Sequence, residues 1–279
     1  MQSKRTSTNQ ILIGTSGYAY SEWVDAGFYP PGTGSARMLP HYARFFPVTE
    51  INYTWYQMPK APAMDRMRRK VPEGFGFAVK LTRTLTHEVD PDGWPAQAAL
   101  YREGIAPLVQ AGQLLAVLVQ LPPFFRRNPQ NRRYLASLLD ALAGLPLAVE
   151  FRHVSWATDR VFAGLEERRV ALACVDVPDL PGLFPPLAVV THPELFYLRF
   201  HGRNAAGWRS GNMQKQFDYD YSEAELDQWS KKRIPAMARQ ASTGIIFFNN
   251  HVRGQAPRNA QMLMEQLGLD GIRRTRGEG

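Results

Sequence analysis

Cysteine is almost absent from this chain, since Cys174 is the sole one among 279 residues. An internal disulfide is therefore excluded, and with it the small secreted domains that disulfides hold together. No positively charged start leads into a long apolar run, as a secretory signal or a membrane span would require. We therefore expect a cytoplasmic protein that has no membrane partner.

Internal repeats and low-complexity segments are also lacking, and no stretch has the composition of an interdomain linker. The chain is 44% hydrophobic and 21% charged, so it can bury a sizeable core. Barrels of the α/β class commonly reach about 250 residues as one domain. We therefore expect a single domain over residues 11–270, between disordered basic tails at residues 1–10 and 271–279.

The net charge of +8 suggests an anionic partner, such as nucleic acid. Lys4, Arg5 and the arginines of residues 271–279 supply half of this charge, however, and basic ends are weak evidence for such a partner. A better candidate is the stretch of residues 124–134, where four arginines are interleaved with amides and flanked by aromatic side chains. This stretch is typical either of a phosphate-binding segment or of a solvated loop that leads into a helix.

Short apolar runs recur eight times along the chain, and stretches long enough for a helix separate them. One of these stretches has helical apolar spacing at Leu135, Leu138 and Leu142. A strand and a helix that alternate eight times predict a (β/α)8 TIM barrel of the α/β class. The predicted strands are residues 11–15, 48–54, 75–81, 115–121, 147–152, 170–176, 196–201 and 244–250.

Side chains along a barrel strand point alternately to the helices and to the lumen. In residues 196–201 the apolar side chains form the outward set, which leaves Tyr197, Arg199 and His201 facing inward. Trp55 falls on the outward face by the same rule, whereas Cys174 shares the lumen parity of Asp176. The polar side chains predicted in the lumen are Glu50, Asn52, Lys80, Gln120, Glu150, Arg152, Asp176, Arg199, His201 and either Asn249 or Asn250.

These lumen side chains lie near the C-terminal ends of their strands, where barrel active sites are found. Their formal charges nearly cancel, so they could also form a closed network of salt bridges. Buried ion pairs of that kind can be replaced by packed apolar residues with little loss of stability. We therefore favour a ligand site over a purely structural network.

A series of short motifs runs through the chain in order: Gly14-Thr15-Ser16-Gly17-Tyr18 with Trp23, Glu50-Ile51-Asn52 with Tyr56, Phe77-Ala78-Val79-Lys80, Thr86-His87, Val119-Gln120-Leu121-Pro122-Pro123, Glu150-Phe151-Arg152-His153, Arg199-Phe200-His201-Gly202-Arg203, Tyr219 with Tyr221, and Phe248-Asn249-Asn250-His251. This series resembles the YecE-like family, which is catalogued as domain of unknown function 72. The resemblance covers about residues 11–267 and implies a barrel fold whose signature residues face the lumen, with little settled chemistry. One departure is Thr54-Trp55, where the family more often has a small residue and then Phe.

The favoured hypothesis is an enzyme for a small anionic, for example phosphorylated, substrate. Many barrels hold phosphate on the loops after strands seven and eight, and here Gly202-Arg203 and Gly254–Pro257 lie there. Glu150 is the first candidate for the general acid or base, with Glu50 or Asp176 as its partner and His201 beside them. The predicted substrate-binding residues are Tyr18, Trp23, Asn52, Lys80, His87, Gln120, Arg152, Arg199, Arg203, Asn249 and Asn250.

Two alternatives remain open at this point. The first is an isomerase or nuclease-like barrel in which Glu50, Glu150, Asp176 and His201 bind Mn²⁺, Mg²⁺ or Zn²⁺, although no metal is required by the sequence. The second is a non-catalytic binder of nucleic acid or nucleotide. It would use residues 126–133 together with Tyr18, Tyr20, Trp23, His251 and Arg253.

Overall fold

The protein is described by a computed structural model over residues 9–269. Eight parallel strands pair in chain order, and the last returns to pair with the first, so the sheet closes into a barrel. The predicted (β/α)8 TIM barrel is thereby confirmed. The strands are β1 (Gln10–Ser16), β2 (Val48–Ile51), β3 (Gly76–Lys80), β4 (Leu114–Gln120), β5 (Leu147–Glu150), β6 (Ala171–Asp176), β7 (Leu195–Phe200) and β8 (Thr243–Phe248).

Helices surround the barrel and cover its outer face. None of those in residues 9–269 is long and apolar enough to cross a membrane. The predicted tails fall almost wholly outside these residues, and β1 begins one residue before the predicted boundary of the domain. The helices are α1 (Glu22–Asp25), α2 (Ser35–Tyr42), α3 (Ala61–Arg68), α4 (Trp94–Gln110), α5 (Pro129–Ala141), α6 (Asp159–Glu167), α7 (Ala205–Arg209), α8 (Met213–Gln216), α9 (Glu223–Gln228), α10 (Ile234–Ala238) and α11 (Gln255–Gln266).

Helix α5 shows how local sequence sets an element of the outer layer. Asn128 caps its first turn by accepting a hydrogen bond from the Asn131 backbone N–H at 2.8 Å. Pro129 occupies the first helical position, where its missing N–H costs nothing. Leu135 and Leu138 then turn a buried apolar face to the barrel.

The connection from β6 to β7 departs from the regular alternation, because residues 177–194 contain no helix in the structure. Five prolines fall in this stretch. Proline lacks the N–H that a helix interior needs and its ring clashes with the preceding turn. This connection therefore crosses the outer face as irregular chain, and Phe184 anchors it in the core.

Two separate apolar clusters confirm the alternation of side chains along the strands. The outer cluster joins strands to helices, whereas a small cluster fills the lumen below the polar side chains. Small residues such as Ala116, Ala148 and Ala173 contribute to the lumen cluster, beside the rings of Tyr197 and Phe247. The polar side chains thus stand on a packed apolar floor.

Strand β2 is shorter than the sequence predicts, and this changes the position of Trp55. The strand ends at Ile51, and a 3₁₀ turn follows at Tyr53–Trp55. The turn breaks the two-residue alternation, so the outward placement of Trp55 was wrong. The Trp55 ring instead lies 5.1 Å from the Lys80 ammonium, at the mouth of the barrel.

Candidate functional site

Arg199 on β7 is the centre of the polar lumen. Its Nη1 donates to Glu150 Oε2 at 2.6 Å, and its Nη2 donates to Glu50 Oε1 at 2.6 Å. Arg199 is 1% exposed, and Glu50 and Glu150 are fully buried. One cation therefore bridges carboxylates from β2 and β5 across the barrel, as the predicted inward parity of all three requires.

Glu150 is surrounded by further donors. Arg152 Nε donates to its Oε1, and His201 Nε2 lies 3.3 Å from the same oxygen. Burial by itself would raise the pKa of Glu150, but the attraction of Arg152 and Arg199 outweighs burial and holds that pKa well below its usual value. Glu150 is thus ionised at neutral pH.

Glu50 has a different second partner, the phenol of Tyr197, which donates to its Oε2. Tyr197 precedes Arg199 by two residues on β7, so it lies on the same face of the strand, and it is completely buried. The sequence indicated that Tyr197 faces the lumen but gave it no role in the site. Its hydrogen bond fixes the orientation of the Glu50 carboxylate toward Arg199.

His201 is neutral in this surrounding. Burial is the main reason that its pKa falls to about 3, and the charge of Arg152 lowers it further. Asn249 Nδ2 lies 3.0 Å from His201 Nδ1 and donates to it. His201 Nε2 lies 3.3 Å from Glu150 Oε1 and 3.4 Å from one guanidinium nitrogen each of Arg152 and Arg199, so it faces the charged centre of the lumen. Of the two predicted alternatives at the end of β8, Asn249 is the one that faces the lumen.

Lys80 ends β3 and completes the set of lumen charges. Within residues 9–269 its ammonium has neither an ion pair nor a hydrogen bond, and it lies over the Trp55 ring at 5.1 Å. Burial, together with repulsion from Arg199, lowers the pKa of Lys80 to about 7. The amine is therefore divided between its charged and neutral forms near neutral pH.

Aromatic rings surround the mouth above these polar groups. The ring of His87 lies 4.9 Å from Trp55 and 6.4 Å from Phe124, between the loops that follow β2, β3 and β4. On the other side, Trp208 lies 5.4 Å from the Arg152 guanidinium. We call this set the aromatic collar, and it consists of Tyr20, Trp55, His87, Phe124, Trp208, Phe217 and His251.

His87 lies in the collar, as predicted from its position after β3. Its Nδ1 accepts a hydrogen bond from Trp55 Nε1 at 3.3 Å. Burial lowers the pKa of His87 to about 4, and the charge of Lys80 adds to this effect. A neutral His87 leaves Lys80 as the titrating group on this side of the mouth near pH 7.

Asp176 does not face the lumen, so its predicted place beside Glu150 was wrong. Its carboxylate accepts hydrogen bonds from Tyr221 Oη at 2.8 Å and from Trp229 Nε1 at 2.7 Å, both of which belong to the outer layer. Arg203 binds the same carboxylate through two nitrogens at 2.7 and 2.8 Å. Every residue of β6 before Asp176 is apolar or neutral, so the strand shows no alternation of polar and apolar side chains that would reveal which side Asp176 faces.

Cys174 and Arg203 also lie outside the lumen, contrary to the prediction. Cys174 packs in the outer cluster, and Arg203 turns its guanidinium to Asp176 rather than to the lumen. Asn250 also faces outward, where its Nδ2 donates to Asn259 Oδ1 and to the Tyr219 carbonyl, each at 2.7 Å. These contacts hold the segment of residues 218–222 against the barrel.

The predicted phosphate site after strands seven and eight is also occupied by this segment. At the start of α11, Gln255 accepts a hydrogen bond from the Tyr219 N–H at 3.0 Å and donates to Asp218 at 2.8 Å. Arg253 pairs with the same Asp218 at 2.6 Å. The polar groups of this corner therefore have partners within the chain.

The remaining predicted residues divide between the mouth and the outer layer. Asn52 follows β2, and its Oδ1 is buried without a hydrogen-bond partner among the described residues. Gln120 ends β4 in the lumen and is 8% exposed. Trp23 instead packs in the outer cluster and donates to the His251 carbonyl at 2.8 Å, and Tyr18 packs against the same cluster.

Comparison with known sequences settles the family. The profile of a family described as "Protein of unknown function DUF72" matches residues 12–277. The chain belongs to the DUF72 family. YecE-like is an equivalent name for this family, so the resemblance read from the motifs is confirmed.

Relatives of this DUF72 protein share both sequence and shape. UPF0759 protein YunF of Bacillus subtilis is 27% identical over 274 residues, which are 93% of this chain and 95% of that protein. A DUF72 family protein from Thermotoga maritima is 31% identical and superposes with a TM-score of 0.84, over 93% of this chain and 99% of that chain. One from Enterococcus faecalis is 27% identical, with a TM-score of 0.84 over 94% and 96% of the two chains.

The four residues proposed as metal ligands do not converge in this DUF72 barrel. Asp176 is bound by the outer layer, and Glu150 and Glu50 are bridged by Arg199. In the part of the chain that the structure describes, no group of three or more His, Cys, Asp or Glu side chains could hold a metal ion. The arginines thus take the place that a cation would need.

A cavity of about 870 Å³ lies at the opposite end of the barrel, around the N-terminal ends of β4 to β8. Its charged side chains pair with one another, as Arg168 does with Asp140 and Arg169 with Glu194 at 2.6 Å. Barrel enzymes carry their chemistry at the C-terminal end, and residues at the other end serve stability. We therefore place the candidate site of this DUF72 protein at the collar and not in this cavity.

Proposed function

We propose that this protein is an enzyme that binds a small anionic substrate, such as a phosphorylated or carboxylated compound, at the C-terminal mouth of the barrel. One observation carries the proposal: among the described lumen charges, Lys80 is a cation without a counter-charge. Glu50 and Glu150 are matched by Arg152 and Arg199, and His201 is neutral. The charge of Lys80 is thus left for a ligand.

The groups around Lys80 favour a ligand with both a charge and a polar or ring-shaped body. Asn52 offers an acceptor oxygen that no described residue uses. The rings of the aromatic collar can stack on a planar or sugar ring, and Trp55 already lies beside Lys80. Buried acceptors without partners are uncommon in native proteins, which supports a ligand at this place.

The proton chemistry falls to Lys80 rather than to Glu150 in this proposal. A general acid works best when its pKa lies near the working pH, and the pKa of Lys80, whose ammonium would hold the anion, is about 7. Glu150 stays ionised and hydrogen-bonded to arginines, so its part is to hold Arg152, Arg199 and His201 in place. The reaction we propose is therefore general acid–base catalysis with Lys80 as the proton-transfer group, in a cytoplasmic enzyme.

A thermal-shift screen tests ligand binding directly, because a ligand that prefers the folded state raises the melting temperature. The probes are inorganic phosphate, sugar phosphates, dicarboxylates, nucleotides, Mg²⁺ and Mn²⁺. At about a hundredfold excess over Kd, an anionic ligand should raise the melting temperature by about 5 °C or more.

The matched variants are Lys80→Met and Lys60→Met, since Lys60 is an exposed lysine outside the lumen. We expect the shift to disappear in Lys80→Met and to persist in Lys60→Met. An anion whose shift survives in Lys80→Met binds elsewhere and contradicts the proposal. A response to metal ions alone, or to no probe at all, would instead favour a metal site or a structural salt-bridge network.

A further inference from the structure

The groove between α5 and α6 is lined by arginines and lies on the outside of the barrel. It has a volume of about 380 Å³ and an apolar floor that includes Trp156 and Leu165. We call it the arginine groove, and its basic lining consists of Arg127, Arg132, Arg133, Arg160 and Arg168. Both helices begin at the C-terminal end of the barrel, so their positive dipole ends add to the potential there.

Most of this positive charge is not neutralised by the residues that the structure describes. Among residues 9–269, only Arg168 of the five has an ion pair, with Asp140. Arg127 Nε is buried and has no hydrogen-bond partner in this part of the chain. A cluster of four guanidinium groups without counter-ions matches the charge and the fork geometry of phosphate groups.

The segment that carries Arg127 is held in a fixed position. The Arg127 N–H donates to Ser155 Oγ at 2.8 Å, and Trp156 Nε1 donates to the Phe125 carbonyl at 2.7 Å. These bonds join the loop after β4 to the loop after β5. The groove is thus preformed, which lowers the entropic cost of binding a ligand there.

An exposed ring of the aromatic collar, Phe124, lies three residues before Arg127 in the loop after β4. Phe124 precedes Phe125 in the same loop and is 69% exposed, although it is a large apolar side chain. Aromatic rings next to a basic groove serve as stacking platforms for the bases of single-stranded nucleic acid. A phosphopeptide or a lone phosphate has no base that would use this ring.

From this geometry we infer that the arginine groove binds the backbone of a single-stranded nucleic acid, with a base stacked on Phe124. The inference does not depend on the proposed chemistry at Lys80. The arginines bind the phosphates, and the ring stacks on bases whatever their sequence. Binding is therefore expected to be salt-dependent and to have little sequence preference.

Fluorescence anisotropy with a labelled 12-nucleotide oligothymidylate or oligouridylate, at stepped KCl concentrations, tests this inference. The test variant is Arg127→Gln/Arg132→Gln/Arg133→Gln, and the control Arg44→Gln/Lys60→Gln/Arg239→Gln removes three exposed charges outside the groove. We expect the test variant to bind about tenfold more weakly or worse, with a slope of log Kd against log salt that is smaller by about 2. The control should stay within about twofold of the wild type.

Two further variants separate the parts of the inference. Phe124→Ala should weaken binding by about fivefold or more if a base stacks on the ring. Lys80→Met should leave oligonucleotide binding unchanged, so failure here is distinct from failure of the proposed enzyme site. Equal weakening in the test and control triples, full competition by inorganic polyphosphate or a phosphopeptide at matched phosphate concentration, or no binding at 50 mM KCl would overturn the inference.

Discussion

Replacing Arg199 by methionine removes the charge that bridges both lumen carboxylates. Glu50 would keep only the Tyr197 phenol, and Glu150 would keep Arg152 and His201. Breaking a buried ion pair from one side costs about 3–5 kcal/mol, because the partner charge stays buried. For a chain of this size we expect the melting temperature to fall by about 6–20 °C at pH 7.

The pH dependence of the Arg199→Met deficit provides a sharper test. In the wild type, the lowered pKa of Glu150 stabilises the fold above the usual carboxyl pKa, and this contribution is lost as the pH falls through the lowered value. In the variant, burial of Glu150 no longer has the Arg199 charge to oppose it, so the pKa of Glu150 rises. Protonation then relieves the buried charge, and the deficit at pH 5 should be smaller than at pH 7.

Urea unfolding of both proteins at pH 7 and pH 5 measures the two deficits. Arg239→Met, which removes an exposed arginine, is the matched control and should change stability by less than about 0.5 kcal/mol. A deficit below about 1 kcal/mol for Arg199→Met, or one that grows toward pH 5, would refute the reasoning. The first result would mean that the lumen carboxylates are solvated or neutral.

Three further predictions concern single lumen or outer-layer groups. Glu150→Gln leaves Arg152 and Arg199 with less negative charge, so we expect a loss of about 3–5 kcal/mol in urea unfolding; no loss would contradict the buried pairing. Because the pKa of Lys80 is lowered to about 7, the wild type should gain stability over Lys80→Met as the pH rises from 7 to 10; parallel melting curves over this range would contradict it. Asp176→Asn should destabilise the outer layer by about 2–4 kcal/mol and speed proteolysis within residues 202–222, and unchanged cleavage would argue against its anchoring role.

The sequence predicted the lumen well where a strand alternates clearly. On β7, apolar side chains alternate with Tyr197, Arg199 and His201, and the structure places all three inside. On β6 nearly every side chain is apolar, so the alternation carried no contrast and Asp176 was placed on the wrong side. Its true partners, Tyr221 just before α9 and Trp229 just after it, are about 50 residues away in the sequence, and no local pattern reveals their contact with β6.

The same limit applies to the mouth of the barrel. Trp55 was misplaced because the strand ends at Ile51, and the boundary of a strand is set by tertiary packing rather than by the run of apolar residues. The pairing within the lumen was also beyond the sequence. The alternation of side chains places these charges at one level of the lumen, but it does not predict that Arg199 pairs with both Glu50 and Glu150.

The detailed pairing bears on whether the lumen is a ligand site or a closed network. A closed network would match each buried polar group with another, since unpaired buried groups are costly. Arg199 Nε and Asn52 Oδ1 are buried without partners among the described residues, and Lys80 has no counter-charge there. One donor, one acceptor and one cation are thus left without partners among the described lumen groups, and an anion that can both donate and accept hydrogen bonds is the ligand that would satisfy them.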